Sequence, residues 1–188
     1  MPSAEEVVVS LTGAREPTLG SGRLICIDGP AGSGKTTLAA AIARLEPAAR
    51  VIHMDDLYDG WEGLPHLGDQ LDDLLLPLTE GRPGSYRRYD WLDEAFAETV
   101  SVPPVDLLVL EGVGSGALRH AALITTLVWI SVPPQLRLER GLTRDGAAAE
   151  SHWRRWMLGE AAHHARERTR ERADVLVDGT GSTAPALL

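Results

Sequence analysis

The chain is poor in the features that mark secreted, membrane-spanning and nucleic-acid-binding proteins. It holds one cysteine, Cys26, in its 188 residues. No disulfide framework can form, and a buried free thiol in a reducing cytosol is the expectation. No apolar run reaches the roughly 20 residues needed to cross a bilayer, and the first residues carry no signal-peptide pattern. Positive charge is scarce, with 18 Lys and Arg against 27 Asp and Glu and a formal net charge of −9. Binding a nucleic-acid backbone needs a basic face, so nucleic acid is not expected as a partner. The positive charge that exists gathers late, from Arg137 to Arg172, which suits a local anion site. There is no internal repeat and no interdomain linker. With 44% hydrophobic and 24% charged residues, the composition is that of an ordinary globular domain. The expectation is a soluble cytoplasmic protein, monomer or homodimer, with no membrane partner.

One stretch organises what is present. Arg23 to Thr37 reads RLICIDGPAGSGKTT: a short apolar run, a glycine-rich loop, and then Leu38 to Ala43, which has helical character. The loop Gly29-Pro30-Ala31-Gly32-Ser33-Gly34-Lys35-Thr36 satisfies the Walker A pattern G-x-x-x-x-G-K-S/T in the strand–loop–helix context that the pattern requires. Its glycines let the backbone turn tightly against a polyphosphate, and successive N–H groups and the helix N-terminus point at the anion. Lys35 adds a mobile positive charge for the β- and γ-phosphates, and the Thr36 hydroxyl can ligate Mg²⁺. ATP is therefore expected at Gly29 to Thr37, the last position being Thr37, with Mg²⁺ as cofactor.

The rest of the chain alternates strands and helices. Residues 1–22 form a peripheral segment whose apolar patch Val7 to Leu11 reads either as a strand or as a helix turn. Val51 to Met54 is a short strand that delivers Asp55-Asp56 at its end. Residues 57–68 are an aromatic loop. Leu71, Leu74, Leu75 and Leu78 form a helical stripe. Ser85 to Asp90 reads as irregular, and Thr99 to Val102 as a short edge strand. Leu107 to Leu110 is a buried strand ending in Glu111. Gly116 to Ile124 suggests a helix, Leu127 to Val132 a strand, Gln135 to Arg144 an arginine-rich helix, and His152 to Arg172 one long charged helix. Asp174 to Val177 is the last strand. Alternation of this kind implies a three-layer α/β fold around a parallel sheet of about five strands. One domain spans 23–181, with a helical lid near 137–156 and a loose tail at 182–188.

Two acids stand at strand ends where open α/β sheets place their ligands. Asp55 can accept a proton from a substrate hydroxyl and touch the magnesium shell, and Glu111 can hold Mg²⁺ directly or through water. Arg137, Arg140 and Arg144 share a helix face by spacing and can neutralise charge on a transferred phosphoryl group. Arg87-Arg88 offer basic groups for a phosphorylated acceptor. Core packing is the expected role of Trp153 and Trp156, and a solvated face that of His163-His164. Trp61 and Trp91 flank the proposed acceptor pocket, which either could wall.

Taken in order, IDGPAGSGKTT, HMDDLYDGW, YRRYDW, LVLEGV and RLERGLTRD resemble the landmarks of the uridine kinase-like branch of P-loop small-molecule kinases, which includes phosphoribulokinase and pantothenate kinase relatives. The resemblance spans Ile27 to Asp145. It implies a kinase that moves the γ-phosphoryl group of ATP to a hydroxyl of a small metabolite, with Asp55 as catalytic base and Glu111 in a magnesium role. Tyr58 and Tyr89 then match acceptor-side positions. Arg137, Arg140 and Arg144 match arginines that run into a mobile lid. Lys35, Asp55, Arg140 and Arg144 are the expected catalytic set. Tyr58, Arg88, Tyr89 and Arg137 are expected to bind the acceptor beside Asp55, and Thr36, Asp55 and Glu111 the metal. Two departures stand out. No histidine follows the Tyr89-Asp90 pair, and Gly146 to Glu150 replaces the arginine-glycine-arginine run of the lid. The acceptor implied is a nucleoside; a nucleoside monophosphate, a sugar or a vitamin precursor is the alternative. A nucleotide-binding regulatory module with little turnover is the reading of another class.

Overall fold

A computed structural model describes residues 2–188. In chain order the elements are α1 (Ala4–Gly13), β1 (Arg23–Asp28), α2 (Lys35–Leu45), β2 (Arg50–His53), α3 (Leu67–Thr79), β3 (Gly84–Asp90), β4 (Ala95–Val102), β5 (Leu107–Glu111), β6 (Thr126–Ser131), α4 (Pro134–Asp145), α5 (Glu150–Glu167), α6 (Thr169–Arg172), β7 (Val175–Asp178) and β8 (Ala186–Leu187). The main sheet runs β2-β5-β1-β6-β7-β8. Its first five strands are parallel, and β8 adds antiparallel to β7. Strands β3 and β4 form a separate antiparallel pair. Among the described residues no helix is long and apolar enough to cross a membrane.

The layers follow from side-chain alternation along strands that are covered on both faces. Ile25 and Ile27 of β1 turn to the side of α1 and α2, where Val8, Leu38, Ala39 and Ile42 complete one core. Leu24 and Cys26 turn to the other side, against Leu71, Leu74, Leu75, Tyr58 and Trp156. Each of these aliphatic side chains contributes about 1.5–3 kcal/mol by leaving water. Cys26 is a buried free thiol, and burial pushes its pKa well up.

Several elements differ from their sequence readings. Val7 to Leu11, open between strand and helix turn in the sequence, takes the helical alternative within a longer helix, started by a reciprocal cap between Ser3 and Glu6; the Ser-x-x-Glu spacing is a local signal for it. Ser85 to Asp90 is a strand. A register shift between Arg87 and Tyr89 breaks the period of two, so Tyr86 and Tyr89 are both buried at a spacing of three. The expected helix at Gly116 to Ile124 is a 3₁₀ segment, Leu118–Leu123. The long charged helix divides at Arg168, which takes a left-handed conformation (φ 52°) between α5 and α6. The tail is not wholly loose: Ala186 and Leu187 pair with Leu176 and Val175, which takes the sheet from about five strands to six.

Candidate active site

The phosphate loop sits where the sheet order reverses, with β5 and β2 on one side of β1 and β6 and β7 on the other. Open α/β sheets place their ligands at this crevice. The loop leaves β1 through Gly29 at φ 137°. A Cβ there would lie 2.2 Å from the carbonyl oxygen of Ile130, so only glycine allows the loop to cross β6 so closely. Lys35, the only lysine in the chain, opens α2 and folds back over the loop. Its Nζ donates to the carbonyl oxygens of Gly29 (2.9 Å) and Pro30 (3.0 Å). Burial pulls its amine below the usual lysine range, against the opposing charges of Glu111, Asp28, Glu160 and Asp55. Thr36 Oγ1 donates to Glu111 Oε1 at 2.9 Å.

Glu111 ends β5, buried, and its Oε1 is also 2.5 Å from His53 Nδ1. That hydrogen bond raises the imidazole pKa above its ordinary value. The chain after β2 makes one 3₁₀ turn, Met54–Asp56, which carries Asp55 to the cleft. Gly112 permits this: at φ 141°, a Cβ there would lie 2.4 Å from Met54 Cβ. The Asp55 backbone oxygen accepts from Trp91 Nε1 at 2.9 Å. Its side chain is reachable by solvent yet lies deep in the cleft. Desolvation and then the Glu111 carboxylate raise its pKa, with Lys35 and Arg144 opposing.

Lys35, Thr36, Asp55, Glu111, Arg140 and Arg144 all border one cavity of about 1090 Å³. Of the loop, Ala31 through Thr37 line this cavity, while Gly29 and Pro30 hold Lys35 from behind. Arg140 donates to the carbonyl oxygens of Gly32 (3.1 Å) and Gly179 (3.2 Å). Arg144 pairs with Asp145 at 2.7 Å and lies 5.6 Å from the Trp153 ring centroid. The far wall is aromatic. Trp61 is central to it, with ring centroids 5.7 Å from Trp91, 6.1 Å from Trp156 and 6.4 Å from Trp153. Tyr58 also lines the cavity, its hydroxyl donating to the Val113 oxygen at 2.7 Å. Trp153 and Trp156 are buried and border the cavity as well, so packing and wall are the same role.

Three expected acceptor contacts stand elsewhere. Arg137 is buried in an ion pair with Glu160 behind the phosphate loop, because a desolvated guanidinium needs a carboxylate. Arg88 is held by Glu98 and Asp90 on the hairpin. Tyr89 is buried against Trp91 and Phe96 and supports the aromatic wall from behind. His163 and His164 are not solvated either: His163 is buried, and His164 Nε2 lies 3.1 Å from Asp28 Oδ1. The residues that sequence reasoning missed are His53, Asp28 and Glu160. The signals were there: an acid closing the apolar run Leu24 to Ile27, and an acid on the same helical stripe as Trp153 and Trp156.

The site fits a nucleotide with its divalent cation. Among the described residues the Ser33 hydroxyl is buried without a partner at the centre of the loop. Thr36, Glu111 and Asp55 offer the oxygen donors a hard cation takes. No group of three or more His, Cys, Asp or Glu side chains gathers as a metal cluster among the described residues. Mg²⁺ needs none, since it keeps several waters and binds through one or two side chains plus substrate phosphates.

No protein-family model and no curated protein matches the chain. Solved structures do. One is a possible uridine kinase from Bacillus stearothermophilus, 20% identical, covering 93% of this chain and 97% of that one at a TM-score of 0.62. The fold is that of the P-loop small-molecule kinases. A D-glycerate 3-kinase from Cryptococcus neoformans is 13% identical over 98% of this chain and 97% of that one, at a TM-score of 0.61. A putative fructose transport system kinase from Silicibacter is 19% identical over 92% and 96%, at 0.58. These three proteins are named for different molecules, uridine, fructose and glycerate, and a shared fold does not carry a shared function.

Proposed function

We propose that this chain is an ATP-dependent kinase that transfers the γ-phosphoryl group to a hydroxyl of a small neutral molecule, a nucleoside above other acceptors. The observation that carries the reading is the shared cavity: the Lys35 loop and Asp55 border one space, which the hydrogen-bonded pair Thr36 and Glu111 also lines. Loop N–H groups and Lys35 bind the polyphosphate. Asp55 orients the acceptor hydroxyl and takes its proton. The freed oxygen forms the new bond to the γ-phosphorus in line, and the bond to the β–γ bridging oxygen breaks to release ADP. A raised Asp55 pKa makes it a better proton acceptor than an ordinary carboxylate. Arg140 and Arg144 offset charge on the transferred group. Thr36 and Glu111, with Asp55 at the edge, would hold Mg²⁺, which neutralises phosphate oxygens when bound.

The aromatic wall supports a nucleoside, because a base can lie against indole faces. The engagement of Arg88 by Glu98 and Asp90, and of Arg137 by Glu160, leaves neither for an acceptor phosphate and disfavours a nucleoside monophosphate. Transfer of label from ATP across nucleosides, their monophosphates, sugars and vitamin precursors tests this. Label is expected on unphosphorylated nucleosides. Label on a sugar or vitamin precursor alone would reassign the acceptor. No label on any of them, despite tight ATP binding, would make the chain a regulatory module.

A further inference from the structure

The phosphate loop is gripped from behind by two side chains that the transfer chemistry does not use. Ala31, the third position of the loop, donates its N–H to Glu160 Oε2 at 2.8 Å. Its carbonyl oxygen accepts from Arg137 Nη1 at 3.2 Å. The other Glu160 oxygen pairs with the same Arg137 nitrogen. Both polar groups of one loop residue are thus held by a single ion pair. That pair is nearly shut off from water, with Glu160 at 1% and Arg137 at 7% exposure. The backbone follows: a Cβ on the next residue, Gly32, would lie 2.9 Å from the Arg137 carbonyl oxygen, so α4 lies directly against the loop. We infer that the Arg137–Glu160 pair is a clamp that sets the shape of the phosphate loop and through it the affinity for nucleotide.

Stability alone does not account for such a pair. Desolvating two charges costs several kcal/mol each, and apolar residues of similar volume serve a core as well or better. What apolar residues cannot do is hold a peptide N–H and C=O at once. An anion cradle works only if its N–H groups already point at the ligand, since each rotation left to be frozen weakens binding. By taking the Ala31 peptide groups for itself, the pair fixes the turn from which the Gly32 to Lys35 amides are presented. Glu160 also lies one helical turn beyond Trp156 on α5, so the helix that walls the aromatic side of the cavity is the one that grips the loop. Arg137 and Glu160 are positioning residues. The inference rests on the kinase reading only for the identity of the ligand.

The test separates clamp from ballast. The double variant Arg137→Met with Glu160→Leu replaces the pair by apolar residues of similar volume and should melt close to wild type. With ADP and Mg²⁺ as the titrated probe, its affinity is expected to fall about tenfold or more. Amide exchange at Ala31, Gly32 and Ser33 should quicken about as much, because the loop opens locally. A double variant that melts normally, binds ADP within about twofold of wild type and shows unchanged exchange would overturn the clamp. Should the double variant fail to fold, Glu160→Gln, which keeps the shape and loses the charge, decides by the same two readouts. It is expected to lower ADP affinity about fivefold and to speed loop exchange, and no change in either overturns the inference. A wild-type chain that binds no ADP overturns the kinase reading instead, while the exchange rates still decide whether the pair holds the loop.

Discussion

Lys35 and Asp55 meet the same cavity with opposite charge, and on the proposed mechanism their substitutions should separate. Lys35→Ala should abolish ADP binding and lower turnover by at least about 10²-fold, the scale of losing a charge-stabilising donor. Asp55→Asn should lower turnover by about 10²–10⁴-fold with the ADP dissociation constant little changed; steady-state rates and an ADP titration on each variant check both. Near-normal turnover in the Asp55→Asn chain would remove that carboxylate from proton transfer. Trp61 makes the third case. It contacts Trp91, Trp153 and Trp156 at once and stacks on His152. Trp61→Ala should raise the KM for the acceptor about tenfold through lost stacking while leaving ADP affinity unchanged, and kinetics at saturating ATP would show it. Equal loss of acceptor and ADP binding would mean that Trp61 supports the whole cleft instead.

Among the elements, β1 ties the most together through its last residue. Asp28 is fully buried and accepts from the N–H groups of Gly29 (2.7 Å), Gly114 (3.0 Å) and Gly116 (3.0 Å), with His164 of α5 at 3.1 Å. One carboxylate thus joins the start of the phosphate loop, the loop after β5 and the helix behind the aromatic wall. Desolvation pushes its pKa up, but the His164 hydrogen bond and charge and the Gly29 and Gly116 N–H groups outweigh it, and the net shift is downward. A carboxyl depressed in the folded state contributes stability that is present above its unfolded value, about 3.9, and is lost as pH falls through the folded value. Asp28→Asn keeps the shape but turns an NH₂ toward N–H donors. It should cost about 3 kcal/mol, or about 10 °C in melting temperature for a chain of this length. It should also flatten the acid limb of the stability curve below pH about 4. Thermal melts from neutral pH downward on both proteins check this, and a melting temperature equal to wild type would show that Asp28 is dispensable.

The molecule as a whole is two cores on one sheet, with the cleft at the carboxyl ends of its parallel strands. A ligand that binds only the folded chain must stabilise both cores together. ADP with Mg²⁺ at about 100 times its dissociation constant should add about 2.7 kcal/mol, or about 5–10 °C in melting temperature. The same addition should leave Lys35→Ala unmoved. A differential scan with and without nucleotide tests it, and no shift in wild type would mean that the loop does not hold ADP.

Legibility divided along the range of the forces involved. The phosphate loop, the parallel strands and the strand-end acids Asp55 and Glu111 could be read from the chain, because each is written in neighbouring residues: a glycine spacing, an apolar run, an acid at its end. The capping box at Ser3 and Glu6 was equally local. The partners of the arginines could not be read so. Seventeen arginines face 27 acids, and nothing in the order of residues says that Arg137 meets Glu160 behind the loop or that Arg88 meets Glu98 across a hairpin. Nor does it say that His53 lies against Glu111, 58 positions away. Those pairings are set by which surfaces the folded layers exclude from water, since a charge deprived of solvent must take whatever opposite charge the packing brings within reach.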